Sequence, residues 1–241
     1  MGAIPADVIV CGDPDRASQI SRHLSDATLL SENREYRCFL GTFEGRSVAV
    51  CSHGVGAPGA AVAFEELIAA GARRLIRVGT CGGLQRDLDA GDLVVAQAAV
   101  DNTGYGAQTV PPGYPAVADP ELTLALYEAA ARVAGRRLQA GIVLTRDNFY
   151  RGVELPSLID YRIMSVAGVL AVEMECSALF LIGSLRRARA AAILAVDGNL
   201  VAAGKEEMDS YQPRQEAVLA AIEVGTQAAL SALIHSGDDS G

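Results

Sequence analysis

Short apolar runs, each closed by glycine or a polar residue, recur along the chain. They are DVIVCG (7–12), SVAVCSHG (47–54), RLIRVGTCGG (74–83), DLVVAQAAV (92–100), AGIVLT (140–145), VLAVEME (169–175) and AAILAVDG (191–198). Runs this short, rich in Val and Ile and bounded by turn residues, predict buried strands. Between them the apolar period lengthens to about 3.6, which predicts helices. GAPGAAVAFEELIAAGA (56–72) is one, and DPELTLALYEAAARVAG (119–135) is a second, with Asp119 as N-cap and Pro120 at the first helical position. MECSALFLIGSLRRA (174–188) and RQEAVLAAIEVGTQAALSALIHS (214–236) complete the set. The Gly/Pro-rich VDNTGYGAQTVPPGYPAV (100–117) predicts a loop or flap, and the tail at 236–241 is expected to be frayed. Strands alternating with helices predict an α/β fold whose central sheet is covered on both faces. No repeat, linker or low-complexity segment divides the chain, so residues 1–241 are expected to form one domain.

Composition narrows the partners. Of 241 residues, 50% are hydrophobic and 20% charged, the balance of an ordinary globular chain with a large core. The net charge is −9 and no long Lys/Arg run exists, which argues against nucleic acid. A few converging arginines can still hold an anion on an acidic protein. No apolar run free of charges and turn residues reaches the ~18 residues of a membrane helix. The start, MGAIPADVIVCGDP, lacks the basic head and apolar stretch of a signal peptide. The expectation is a cytoplasmic protein with no membrane partner. Cys11, Cys38, Cys51, Cys81 and Cys176 form no CxxC and sit in or beside apolar runs, as reduced, buried thiols do. Cys81, between Thr80 and Gly82, is the one candidate for a reactive thiol.

In α/β folds, ligands bind beyond the carboxyl ends of the strands. Those ends here carry Gly12-Asp13, Ser52-His53-Gly54, Gly79-Thr80-Cys81-Gly82, Glu173-Met174-Glu175 and Asp197-Gly198. In CGDPDR a helix start offers free N–H groups to an anion, and Arg16 adds a guanidinium. Arg77 lies inside an apolar strand, so it needs an acidic partner or an anionic ligand. Gly79, Gly82 and Gly83 allow close backbone approach, and Thr80 supplies a hydroxyl. His53 reads as a satisfied core histidine. Glu173 and Glu175 interrupt the apolar run VLAVEMECSAL, at a cost unless both are satisfied. Ligand hydroxyls with backbone donors would do this, and so would a capping or salt-bridged pair at a strand end.

Together with NREYR, GDLVV, YPAVAD and VDGN, these segments resemble the nucleoside phosphorylase superfamily over about residues 8–230. The branch is that of the hexameric purine nucleoside phosphorylases and uridine phosphorylases. NREY, SHGVG, PSLIDY and VDG look closest to the apicomplexan-type purine enzymes. The resemblance implies an α/β single domain with a central mixed β-sheet flanked by helices. It implies phosphorolysis of purine (deoxy)ribonucleosides to free base and (deoxy)ribose 1-phosphate, with inorganic phosphate as co-substrate and no cofactor. It also implies a homo-oligomer, a dimer at minimum and a hexamer as trimer of dimers.

By similarity, Gly12, Arg16, Arg77 and Thr80 hold phosphate, and Arg34 is lent to the neighbouring subunit's phosphate site. Glu175 binds ribose hydroxyls, Met174 packs against the sugar, and Glu173 is a supporting polar contact near sugar or base. Asp197, protonated, donates to N7 of the leaving base; Asp197 and Arg77 are the catalytic pair. Tyr150 lies over base or sugar, and Val172 is an apolar base contact. The sequence also departs from its relatives. Val153 and Leu155 replace the Gln-x-Arg pair with which uridine phosphorylases read the pyrimidine carbonyls. Gly59 replaces the Ser of their cation site, so no metal is expected. No His precedes His23, and Gly198-Asn199 follow the acid, which leaves the 5′ substituent and the choice of 6-oxo or 6-amino purine open. The alternatives are a uridine phosphorylase, a phosphorylase or nucleosidase of 5′-modified nucleosides, and a binding protein without turnover.

Overall fold

The apolar runs become strands, and three strands that they do not predict, β2, β3 and the two-residue β7, are added. The computed structural model describes residues 4–135, 137–150, 153, 159–202, 211 and 215–235. The strands are β1 (Asp7–Cys11), β2 (Ser25–Asn33), β3 (Tyr36–Phe43), β4 (Arg46–Ser52), β5 (Arg74–Gly83), β6 (Leu93–Asn102), β7 (Ala116–Val117), β8 (Leu138–Arg146), β9 (Ala171–Glu173) and β10 (Arg189–Asn199). The helices are α1 (Pro14–Ile20), α2 (Ala57–Ala69), α3 (Gly104–Thr109), α4 (Pro120–Val133), α5 (Tyr161–Val166), α6 (Cys176–Arg186) and α7 (Glu216–His235).

One mixed sheet runs β10-β6-β8-β9-β5-β1-β4-β3-β2, with β7 on β6. β10 also pairs with β5, so β5, β10, β6, β8 and β9 close into a ring. β5 organises this. β10 runs parallel along its whole length, from Arg189↔Arg74 to Asn199↔Gly83. On its other edge β1 pairs only as far as Val10↔Arg77, and β9 takes over, antiparallel, at Gly82↔Val172. Between Arg77 and Gly82 that edge changes partner. The opening lies at the strand ends, where α/β sheets place ligands.

The period-2 alternation of the strands splits the core in two. Val8, Val10, Leu75, Ala192 and Leu194 face α2 and α6, with Phe64, Leu67 and Phe180 between. Ile9, Val48, Ile76, Val78 and Ile193 face α1, α4 and α7, against Ile20, Leu126 and Leu230. Each fully buried Phe or Leu here contributes about 2–3 kcal/mol of transfer free energy. The Asp119 cap of α4 forms as predicted, its carboxylate accepting from Leu122 N at 2.8 Å.

Two expectations change. Residues 100–117 are not a plain loop: β6 extends to Asn102, α3 follows and β7 pairs back on β6. α7 is one continuous helix, as expected, long and apolar enough by length and composition to cross a membrane, although Glu223 and Gly225 interrupt its apolar run. Its face with Ile222, Ala229, Leu230 and Leu233 is core against α4 and the sheet, which explains that composition. β2 and β3 form a hairpin at the sheet edge where no strand was expected. The tail at 236–241 lies outside the described residues.

Candidate active site

A cleft of about 1000 Å³ opens at the partner change on β5, between the ends of β1, β5, β8, β9 and β10. Its floor is built around Arg77, which is 4% exposed. The guanidinium folds back over the strand, and a Cβ on Gly79 would stand 2.8 Å from Arg77 Cζ, so any side chain there would displace the guanidinium. Arg77 Nη2 donates to Glu175 Oε2 at 2.5 Å and lies 3.5 Å from Glu173 Oε2. Arg77 Nη1 lies 3.0 Å from His53 Nε2. A guanidinium only donates, so Nε2 is the acceptor and the His53 proton sits on Nδ1, which donates to Gly54 O at 2.9 Å. Burial first, and the Arg77 charge second, hold the His53 imidazole well below its usual pKa, so it stays neutral. The buried arginine thus has acidic partners, one of the two solutions the sequence left open, and His53 is the satisfied core histidine expected.

The two carboxylates in the apolar run are both satisfied by protein groups. Glu175 Oε1 accepts from Gly56 N at 2.6 Å, in the SHGVG turn, where Gly54 and Gly56 have φ of +75° and +89°. Glu173 turns into the start of α6. It accepts from Glu175 N at 2.8 Å, from Cys176 N at 2.9 Å and from Thr145 Oγ1 at 2.5 Å. This is the capping arrangement, and Glu173 lines the cleft as well. Thr145 Oγ1 in turn accepts from Ser177 N at 2.9 Å. One carboxylate therefore ties the end of β8, the end of β9 and the start of α6 together.

Around this floor the cleft is lined by Gly12, Arg16, Thr80, Val172, Met174 and Asp197. The structure thus gathers nearly all the predicted residues in one place. Asp197 ends the apolar part of β10 and is 6% exposed. Burial pushes its carboxyl up to about 7, and the Thr80 hydroxyl that hydrogen-bonds to it only partly offsets this. Arg16 follows the Asp13 cap of α1, whose carboxylate accepts from Asp15 N at 2.8 Å. Burial lowers the Arg16 pKa, and Arg77 adds repulsion. Two guanidinium groups facing one cleft make it a place for an anion. All five cysteines are free and buried. Burial, with Asp197 next, pushes the Cys81 thiol well up, which removes it as a reactive group.

Two predicted residues lie elsewhere. Arg34 is exposed at the β2–β3 turn with φ +55°, outside the cleft lining of its own chain. Tyr150 is 70% exposed and meets the edge of Phe149, with ring centroids 5.1 Å apart. Phe149 and Tyr211, themselves 5.3 Å apart, line the cleft in its stead. Sequence reasoning also passed over Glu35 and Arg146, which line it too. NREYR drew attention to the arginine beside Glu35, and Arg146 was masked as a polar strand end. Val153 is exposed, and Leu155 lies outside the described residues.

Comparison with known proteins agrees with this geometry. Residues 7–234 match the phosphorylase superfamily. A uridine phosphorylase of Treponema pallidum is 38% identical over 226 residues, covering 90% of this chain and 86% of that protein. A guanosine phosphorylase of Halorubrum lacusprofundi is 36% identical over 209 residues, covering 87% and 85%. The crystal structure of purine nucleoside phosphorylase from Toxoplasma gondii in complex with immucillin-H superposes with a TM-score of 0.87 at 33% identity, covering 95% of this chain and 90% of that one. With the family matched over nearly the whole chain and the fold superposing at 33% identity, this chain belongs to the phosphorylase superfamily.

Proposed function

We propose that the cleft cleaves purine nucleosides with inorganic phosphate, giving free base and pentose 1-phosphate without a cofactor or metal. The observation that carries this reading is Asp197, a buried carboxyl in the cleft whose pKa near 7 keeps a proton available at neutral pH. A carboxylic acid there donates to N7 of a departing purine, an atom that pyrimidines lack. Arg16, Thr80 and the backbone at Gly12 hold the phosphate, with the Arg77 charge behind them. Glu175, fixed by Arg77 and Gly56, presents its carboxylate to the sugar hydroxyls, and Met174 packs on the sugar. As the glycosidic bond breaks, positive charge grows on the sugar, and the fixed phosphate and carboxylate stabilise it. Phosphate then attacks C1′.

Arg34, exposed and outside the lining of its own cleft, supports a shared site in which a neighbouring copy supplies the last phosphate contact. The working unit is then a dimer, within a hexamer built as a trimer of dimers.

A uridine phosphorylase is the second reading, favoured by the 38% identity to the Treponema pallidum uridine phosphorylase. Val153, where such enzymes carry Gln, weighs against it. The test is base release from inosine, adenosine, uridine and 5′-methylthioadenosine, each with and without phosphate. Phosphate-dependent release from the purine nucleosides is expected. Faster release from uridine than from any purine nucleoside, or release at full rate without phosphate, overturns the reading.

A further inference from the structure

Arg146 ends β8 and has no part in the phosphate or sugar contacts proposed above. It lines the same cleft as Asp197. Its strand pairs with β9 through Leu144↔Val172 and Thr145↔Glu173, so it emerges beside the apolar wall made by Val172 and Met174. Its guanidinium is held in place. Arg146 Nη1 donates to Tyr161 Oη at 2.6 Å, and Cζ lies 5.3 Å from the centroid of the Tyr161 ring. Tyr161 is itself 7% exposed at the start of α5. Among the described residues no carboxylate lies within ion-pair distance of Arg146. The adjacent Asp147 is engaged elsewhere, accepting from Gly104 N at 2.7 Å.

A positioned guanidinium has five N–H donors and no acceptor. One donor is used on Tyr161, and the others are left for whatever fills that end of the cleft. We infer that Arg146 selects the base by donating to a carbonyl oxygen on its edge, so that the preferred substrates are 6-oxopurine nucleosides. This inference rests on the nucleoside reading above. In a purine, the 6-substituent and N7 lie on the same edge, so Asp197 and Arg146 would read neighbouring atoms. A 6-amino group brings a second donor to Arg146 and leaves both N–H groups unpaired. The loss of a charge-assisted hydrogen bond in a desolvated site is about tenfold to a hundredfold in kcat/KM.

The experiment measures kcat/KM for inosine and adenosine at saturating phosphate in the wild type, Arg146→Met and Arg146→Lys. Hypoxanthine and adenine binding by calorimetry is a second readout. The wild type is expected to favour inosine by about tenfold or more, and Arg146→Met to reduce the inosine-to-adenosine ratio about tenfold at least. Arg146→Lys, which keeps the charge but not the fork, falls between. A wild type that favours adenosine, or a ratio unmoved in a folded Arg146→Met, overturns the inference. If Arg146→Met does not fold, the wild-type affinities decide, since equal binding of hypoxanthine and adenine overturns it too. Failure of the purine reading is separate. It shows as preference for uridine, and the uridine-to-cytidine ratio, an oxo against an amino edge, then tests Arg146 in the same way.

Discussion

Asp197 gives the sharpest test, because stability and chemistry depend on the same proton. Burial moves its pKa from an ordinary 3.8 to about 7. The folded state therefore penalises the ionised form relative to the unfolded chain by about 4 kcal/mol at most. The sign follows from the raised value. Stability is full below pH 3.8, is lost as pH rises from 3.8 through 7, and is flat above that. Between pH 5 and pH 8 the loss is about 2–3 kcal/mol. Asp197→Asn carries no charge at either pH and escapes that loss. Urea unfolding of both proteins at the two pH values isolates the group. The stability of Asp197→Asn relative to wild type should rise by about 2–3 kcal/mol from pH 5 to pH 8. In the same protein, kcat/KM for a purine nucleoside should fall about tenfold per pH unit above 7, and Asp197→Asn should be about a hundredfold slower at pH 6. A stability difference that does not change with pH would mean that Asp197 ionises freely, and both the acid role and the purine reading built on it would fail.

Arg16→Gln should raise the KM for phosphate by about tenfold or more with a smaller change in the KM for nucleoside, measured by initial rates. Glu173→Ala orphans Glu175 N, Cys176 N and the Thr145 hydroxyl, so thermal or urea unfolding should show a loss of about 1–3 kcal/mol. His53→Leu removes the acceptor from Arg77 and should weaken phosphate saturation in initial rates, while His53→Gln, whose amide oxygen replaces Nε2, should restore part of it. If Arg34 is shared between copies, mixing an inactive Arg34→Ala with an inactive Asp197→Asn should recover activity in hybrid oligomers; no recovery would confine each site to one chain.

The sequence was most legible where burial on both faces left only apolar residues. β5 runs over the residues its apolar run marked, Arg74–Gly83, and the strand ends named from the sequence meet in one cleft. β2 escaped notice because SDATLLSEN is almost wholly exposed and pairs with one neighbour, through two register shifts, so no alternation was imposed on it. α3 is six residues with Gly104 and Gly106 inside, a poor helix by local preference. Tertiary contacts override that preference. Thr103 Oγ1 caps it by accepting from Gly106 N at 2.9 Å, and Asp101 packs so closely that a Cβ on Gly106 would collide with its carboxylate. Within the site, residue types whose chemistry stands out in an apolar setting were found, as with Arg77, Glu175 and Asp197. Phe149 and Tyr211 were missed because an aromatic side chain looks the same in sequence whether it faces a core or a ligand. Glu173 was found too, but two acids flanking one methionine do not reveal which of them also turns back into the helix.

The ring of five strands has a consequence for motion. β5 is bonded to β10 along one edge and, outside the gap between Arg77 and Gly82, to β1 and then β9 along the other, so its paired amides exchange with solvent only when those pairings open. The floor of the cleft around Arg77 is thereby expected to open more slowly than its rim. The rim is different: Phe149 and Tyr211 are each about two-fifths exposed and touch one another across the mouth. Entry and departure of a ligand are expected at that rim, faster than any rearrangement of the charges beneath it, and hydrogen exchange during turnover should show the division directly.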